Sequence, residues 1–483
     1  MPLPLLLAIV LAFGLRLPSD DRPLSNSELT RRLIEAGLGV LALGVVAGTL
    51  GITVRILSRR SSRSSLARSL HGWGSRLLLL LSLAVFGWTL STLDWPRVVA
   101  WGMNLRGVPL VEQVAILTPF LAGQLVIWAG LYFSESSLRL AVADQGLASY
   151  VIRRARQSFG MIVPVALLYY VSREIVQRGL PSALENPAVQ LLISALAGLA
   201  IFVLSPAFVR MSWPTRRLPD GPLRARLERL SKRLGFRYTE ILIWDTNGLI
   251  VNAGVTGAVP WFRYVLITDA LIDVLDDDEI EAVFGHEVGH IAHWHLPYFA
   301  AFCLGSIGFL TLASEGLARF WDYESAIERL FPDPMVAEIV QAMIAVGILG
   351  LYFYVVFGML SRRFERQADV YGSRAVSCGR SDCPPHQDPN DLGAPKVPLG
   401  NVCPEGVHLF VNALSRVAAI NGMNPSSRSW RHGSIAQRID FLLSLEHRPQ
   451  SERQFDKSVL RLKWWVGMIL GAGTLAALAL FAI

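Results

Sequence analysis

Gly285-His286-Glu287-Val288-Gly289-His290 sets two histidines four residues apart, with a glutamate directly after the first. On a helix that spacing is about one turn, so both imidazoles project from one face, one above the other. Such a pair suits zinc, which takes imidazole nitrogen at about 2.0–2.1 Å and in catalytic sites keeps a position open for water. A water held there has its pKa lowered to about 7, and Glu287 is placed to take its proton. The bland reading is a chance pair of helical histidines, because the pattern is short and the chain has nine His in 483 residues.

The flanking sequence builds a helix around the motif. Asp276, Asp277 and Asp278 suit a helix start by capping and by the macrodipole. The helix they open carries Glu279, Glu281, His286, Glu287 and His290, as the metal chemistry requires. Upstream, 238–245 and 263–268 read as short strands rich in β-branched and aromatic residues, with a turn at Thr246-Asn247-Gly248 and a further helix from Asp269. Before these, residues 210–237 hold nine basic residues against Asp220 and Glu228. Leu223, Leu227, Leu230 and Leu234 recur there at helical spacing. This is a basic amphipathic helix, expected to pack its leucines on the domain and turn its arginines to water or lipid headgroups. His293 and His295 follow the motif. His293 is three residues after His290 and could lean to the same face, but is read as facing water or the membrane interface.

Composition gives the setting. With 52% hydrophobic and 17% charged residues and a mean hydropathy of +0.42, the chain is too apolar for an ordinary soluble enzyme and is read as an integral membrane protein. The formal charge of +7 comes from arginines beside apolar runs, which points to anionic lipid and away from nucleic acid. Four cysteines, with Cys303 inside an apolar run, make no disulfide framework, so a reducing compartment is expected.

Apolar runs lie at 2–15, 36–54, 77–93, 114–133, 159–171, 187–209, 297–313, 339–360 and 464–483, giving about eight or nine crossings. The first is a weak signal peptide and a short span, and the run at 159–171 is short enough to be re-entrant. The 55–76 connection has six Arg and no acid, and 139–156 is again basic, so both belong on the cytoplasmic side; Arg31 and Arg32 fit less well. The loop at 315–338, with six acids and two arginines, suits the outer side. The catalytic part is therefore expected at the cytoplasmic face of a bacterial inner membrane or its equivalent.

Two helical histidines need a third ligand. Ser361-Arg362-Arg363-Phe364-Glu365-Arg366-Gln367-Ala368-Asp369 emerges from an apolar run at the same membrane face, and Glu365 is a candidate. Asp369, one turn on, can accept a hydrogen bond from a ligand histidine's other nitrogen. The alternative is a solvated helix end, with both acids paired to Arg362, Arg363 or Arg366.

The series Asn252-Ala253-Gly254-Val255-Thr256-Gly257, Tyr264-Val265-Leu266-Ile267-Thr268-Asp269, Asp278-Glu279-Ile280-Glu281-Ala282-Val283, His286 to His290, and Glu365 to Asp369 resembles the M48 metalloprotease family. That family includes CAAX prenyl proteases and HtpX-like membrane proteases, and the likeness covers roughly residues 223–372. The resemblance implies His286, His290 and Glu365 as ligands of one catalytic zinc ion, Glu287 as acid/base, and Asp369 behind the ligands. It also implies that the Asn252 to Gly257 segment, with Asn252, Ala253 and Gly254 as its substrate-binding residues, lies beside the substrate as an edge strand, where an extended peptide can pair with its backbone. A His-Pro pair before a helix carrying an arginine is similar to His432 with Arg438, although Gly433 stands where the proline usually is. Either residue could donate to the oxyanion of the reaction; the alternative is a capping histidine and a surface arginine.

Between these segments, Cys378, Cys383 and Cys403 with several prolines read as an inserted loop. With His386 they could form a second metal site, but the spacing is poor for zinc, and reduced structural cysteines are the reading adopted. Residues 406–420 and 435–445 read as helices.

The expectation is a mainly α integral membrane protein with a small α+β zincin-like catalytic domain. Its parts are 1–209 (membrane), 210–296 (catalytic, with the motif), 297–360 (two crossings), 361–463 (third ligand and insertion) and 464–483 (a last crossing). Function is read as zinc-dependent cleavage of membrane-associated or unfolded proteins. Processing of prenylated peptides is the alternative within the class, and a non-catalytic metal-binding scaffold or chaperone the alternative outside it. Partners are a protein or peptide substrate and membrane lipids, without nucleic acid.

Overall fold

The computed structural model describes residues 3–13, 22–59, 64–106, 108–138, 146–160, 187–246, 248, 250–320, 323–332, 334–378, 401–446 and 449–481. The chain divides into two compact units, Met1–Arg216 with Trp244–Leu249, and Arg217–Ile243 with Ile250–Ile483. The chain is mainly helical, with one small sheet.

The first unit is helical. Asn26–Ser58 starts at a capping box, in which Ser25 receives the Glu28 N–H and Glu28 receives the Ser25 N–H. At 33 residues and about 1.5 Å each it exceeds a hydrocarbon core of about 30 Å. It packs against Pro109–Ser137 and Ser64–Ser91 through Leu43, Ala47, Leu78, Ile127 and Leu131. Ile34, Leu38, Leu41, Val45, Ile52 and Ile56 remain exposed along it, a pattern suited to lipid contact. Within the basic 139–156 segment, Arg154 is committed to the protein, donating to both Glu135 oxygens at 2.5 and 2.6 Å.

Among the described residues, four helices are long and apolar enough to cross a membrane: Asn26–Ser58, Leu66–Ser91, Val111–Ser137 and Met343–Ala375. Two shorter apolar stretches are Leu196–Ser212 and His295–Leu310. The eight or nine expected from apolar runs are therefore not all found as long helices; the run at 159–171 falls largely outside the described residues. The stretch at 315–338 is no loop. Helix His295–Phe320 runs into it and Tyr323–Leu330 is a second helix.

The second unit carries the motif. Asp276 and Glu279 form the capping box that starts helix Asp277–Ala292, with bonds of 2.9 and 3.1 Å. The sheet has four strands in spatial order Thr215–Arg217, Glu240–Trp244, Tyr264–Thr268, Ala253–Thr256. Ala253–Thr256 is thus an edge strand, antiparallel to Tyr264–Thr268 with Val255 opposite Val265. Beneath it, Leu227, Leu230, Ile241, Ile267, Leu271, Ile280, Phe284 and Val288 form one core.

The basic helix Pro222–Arg233 differs from expectation. Leu227 and Leu230 are buried as predicted, but two arginines face protein acids. Arg224 is buried and donates to Glu228 at 2.9 Å and Glu240 at 2.8 Å. Arg226 reaches Asp278 and Glu281 on the motif helix. Asp278 in the first turn of that helix and Glu281 beyond it draw in the Arg226 guanidinium, a tertiary pairing that helical spacing does not reveal.

The motif helix crosses Gly358–Ala375 closely. A Cβ at Gly285 would lie 2.6 Å from Ala375 Cβ, and one at Gly289 would lie 3.1 Å from Ala368 Cα. The Gly285-x-x-x-Gly289 stripe interleaved with the histidines therefore lets the second helix come near enough to present its acids.

Candidate active site

His286 and His290 present Nε2 atoms 3.2 Å apart. Across the helix crossing, Glu365 brings one oxygen to 3.9 Å from His286 Nε2 and the other to 3.8 Å from His290 Nε2. The three ligand atoms lie within 4.8 Å of one another, the one such group among the described residues. Ligands bound at about 2.1 Å to one ion lie up to about 4.2 Å apart, so the donors fit zinc with small adjustment. Burial lowers His290 to about 4, keeping it in the neutral form that has a lone pair to give.

Behind the ligands, Asp369 is fully buried, with Oδ1 3.0 Å from His286 Nδ1. Arg438 holds it by two hydrogen bonds, Nε to Oδ2 at 2.8 Å and a terminal nitrogen to Oδ1 at 2.5 Å. A second terminal nitrogen of Arg438 is 3.5 Å from Glu365. Arg438 is therefore no surface arginine: it is buried, and its guanidinium is already used by the two acids. Asp369 and Glu365, and the Glu287 carboxylate further off, hold that guanidinium charged against the cost of burial. His432 sits at the mouth, about half exposed, with Nδ1 3.1 Å from Glu365. Gly433 follows at φ +74°, a conformation closed to proline.

The solvated-helix-end reading of Glu365 does not describe this arrangement. Arg362 donates to the Trp430 carbonyl and Arg366 lies over the Phe441 ring.

Glu287 lies on the cleft side of the motif helix. Burial pushes its carboxyl up to about 7, with the neighbouring Glu365 charge adding to the effect. One oxygen accepts the Val255 N–H at 3.2 Å. That bond shows which edge of the strand faces the cleft, and alternation along the strand puts Ala253 on the same edge. Asn252 faces the other way: its N–H donates to the Thr268 hydroxyl and its carbonyl accepts the Thr268 N–H. Of Asn252, Ala253 and Gly254, Ala253 has its backbone on the open edge, as Val255 does in the same segment. The strand, the ligands, Phe410, Leu414 and His432 line one cleft of about 750 Å³.

His295 was missed. Trp294, at φ 58°, turns the chain sharply after the motif helix, and His295 comes back buried, with Nδ1 2.9 Å from His290 Nδ1. His293 is partly buried and stacks on His295, so neither ring points simply to water. Of the cysteines, Cys403 is buried and caps helix Pro404–Ile420 through its sulfur, while Cys383 lies outside the described residues.

Residues 217–383 match the model of peptidase family M48. This segment, about a third of the chain, is what matches an M48 peptidase domain. It is 29% identical over 199 residues to a protease HtpX homolog of Aeropyrum pernix, covering 39% of this chain and 58% of that protein. It is 27% identical over 279 residues to a CAAX prenyl protease 1 homolog of Arabidopsis thaliana, covering 55% of this chain and 61% of that protein. The chain thus spans less than two thirds of these curated relatives. It also aligns with the crystal structure of S. mikatae Ste24p, at TM-score 0.44 and 15% identity, over 87% of this chain and all of that one.

Proposed function

We propose that this M48 chain is a membrane-embedded zinc-dependent endopeptidase that cleaves membrane-associated or unfolded proteins. The carrying observation is that Glu287 is anchored to the edge strand at Val255 while flanked by the His286, His290 and Glu365 donors. Zinc held by those three would supply Lewis acidity toward a peptide carbonyl and acidify a water. Glu287, with its carboxyl near neutrality, takes the water's proton and returns it to the leaving amine. The substrate runs extended along Ala253–Thr256, its backbone pairing with the outward groups of Ala253 and the carbonyl of Val255, whose N–H is held by Glu287. Asp369 and Arg438 fix His286 and Glu365, and His432, exposed at the mouth, is the donor for the developing oxyanion.

The same reading puts eight or nine crossings in the chain, on the strength of its apolar runs, and the catalytic parts 210–296 and 361–463 on the cytoplasmic side of a bacterial inner membrane or its equivalent, on the strength of its arginine-rich connections. It is tested with purified chain in detergent, given an unfolded membrane protein and, separately, a farnesylated peptide. Cleavage of the first, abolished by a zinc chelator and restored by zinc, is expected. Cleavage of the farnesylated peptide alone would move the substrate class to prenylated peptides, and zinc binding with neither cleavage would favour a non-catalytic scaffold.

A further inference from the structure

The ligand histidines are supported differently. His286 has a carboxylate behind it at Asp369, whereas His290 has a second histidine. His290 Nδ1 lies 2.9 Å from His295 Nδ1, and His295 Nε2 lies 3.1 Å from Gln367 Oε1. Gln367 Nε2 donates to Asp456 Oδ1 at 3.0 Å, and Arg374 donates to Asp456 Oδ2 at 2.9 Å. His295 and Gln367 are buried, and His295 stacks face to face on Phe364, centroids 4.2 Å apart. Asp456 belongs to the C-terminal helix Pro449–Phe481.

This chain of contacts has one consistent direction. An ionised Asp456, held by an arginine that can only donate, can only accept. It must therefore face the amide NH2 of Gln367, which turns the amide oxygen to His295. That oxygen only accepts, so the His295 proton sits on Nε2 and the lone pair on Nδ1. His290 must then carry its proton on Nδ1 and leave Nε2, the atom facing His286 and Glu365, free to bind a metal.

We propose that His295 is a positioning residue for the metal site. Together with Gln367 it passes the acceptor character of Asp456 on the C-terminal helix to His290, fixing the ring and its metal-binding tautomer. The inference rests on the zinc-site reading above, and its test separates the two. Zinc affinity is measured on the purified full chain by competition with a chromophoric chelator, beside thermal unfolding of the zinc-free form. His295→Phe keeps the ring stack but has no acceptor. His295→Asn is smaller, yet its side-chain oxygen can occupy the place of Nδ1 and accept from His290. Gln367→Met interrupts the relay without touching His290.

His295→Phe and Gln367→Met are expected to weaken zinc binding by about 10–100-fold, as loss of such outer partners does. His295→Asn should stay nearer the wild type than His295→Phe. A merely packing role predicts the opposite order, because asparagine leaves a cavity where phenylalanine fills it. Phenylalanine at or above asparagine in affinity, or unchanged affinity in all three variants, overturns the proposal. A wild-type chain that binds no zinc, or binds it undiminished after His286→Ala, overturns the zinc site itself and this inference with it.

Discussion

Replacing Gly285 with alanine disturbs the ligands without altering any of them. The new Cβ would stand 2.6 Å from Ala375 Cβ and 3.2 Å from Gly372 Cα, whereas carbon atoms settle at about 3.5–4.0 Å. The two helices must part by about 1 Å at this point. His286 and Glu365, now 3.9 Å apart at their nearest atoms, would separate to about 4.9 Å, beyond the roughly 4.2 Å that one zinc ion can bridge. Stability is a poor readout, because overpacking costs about 1–3 kcal/mol while alanine's better helix propensity returns about 1 kcal/mol. Zinc affinity and cleavage are the measurements to make. Affinity should fall at least about 10-fold, and cleavage about 100-fold, as expected for a 1 Å misplacement. Adding Ala375→Gly removes the opposing carbon and should recover most of both. Unchanged zinc affinity and cleavage in Gly285→Ala alone would refute the idea that this crossing sets the ligand spacing.

Arg438→Met leaves the Asp369 carboxylate buried without its two donors, and should cost about 3–5 kcal/mol in thermal or denaturant unfolding. Arg438→Lys should rescue little of it, since an ammonium cannot reproduce the paired geometry. Val255→Pro removes the N–H that holds Glu287 at an edge position where the ladder does not use it. Unfolding should move little, while cleavage falls at least about 10-fold with zinc still bound.

Helical spacing fixes which side chains share a face, His286 with His290 and Glu365 with Asp369, whereas the choice of Glu365 as third ligand over a solvated helix end rested on the family resemblance. The Gly285 and Gly289 stripe was equally visible as a spacing, but its meaning depends on which helix lies against it. His295 could not be placed from sequence. Its return to His290 depends on the left-handed turn at Trp294, a conformation that tryptophan does not advertise. The ion pairs of Arg226 and the burial of Arg438 are likewise tertiary, since the charged partners lie more than 50 residues away along the chain. Which residues of the 252–257 segment turn their backbone outward could not be read from sequence, because the outward edge of a strand follows from its partner's register. Apolar runs suggested eight or nine crossings, of which four are found among the described residues as helices long and apolar enough to cross a membrane.

The central claim is that Glu287 does the proton chemistry of a zinc-dependent peptide hydrolysis at His286, His290 and Glu365. Glu287→Gln keeps the side chain's size and removes its basicity, so zinc content and cleavage are measured together on the purified variant. One zinc per chain, with cleavage lower by about 100- to 10,000-fold, is the predicted result. Undiminished proteolysis with zinc bound would contradict it.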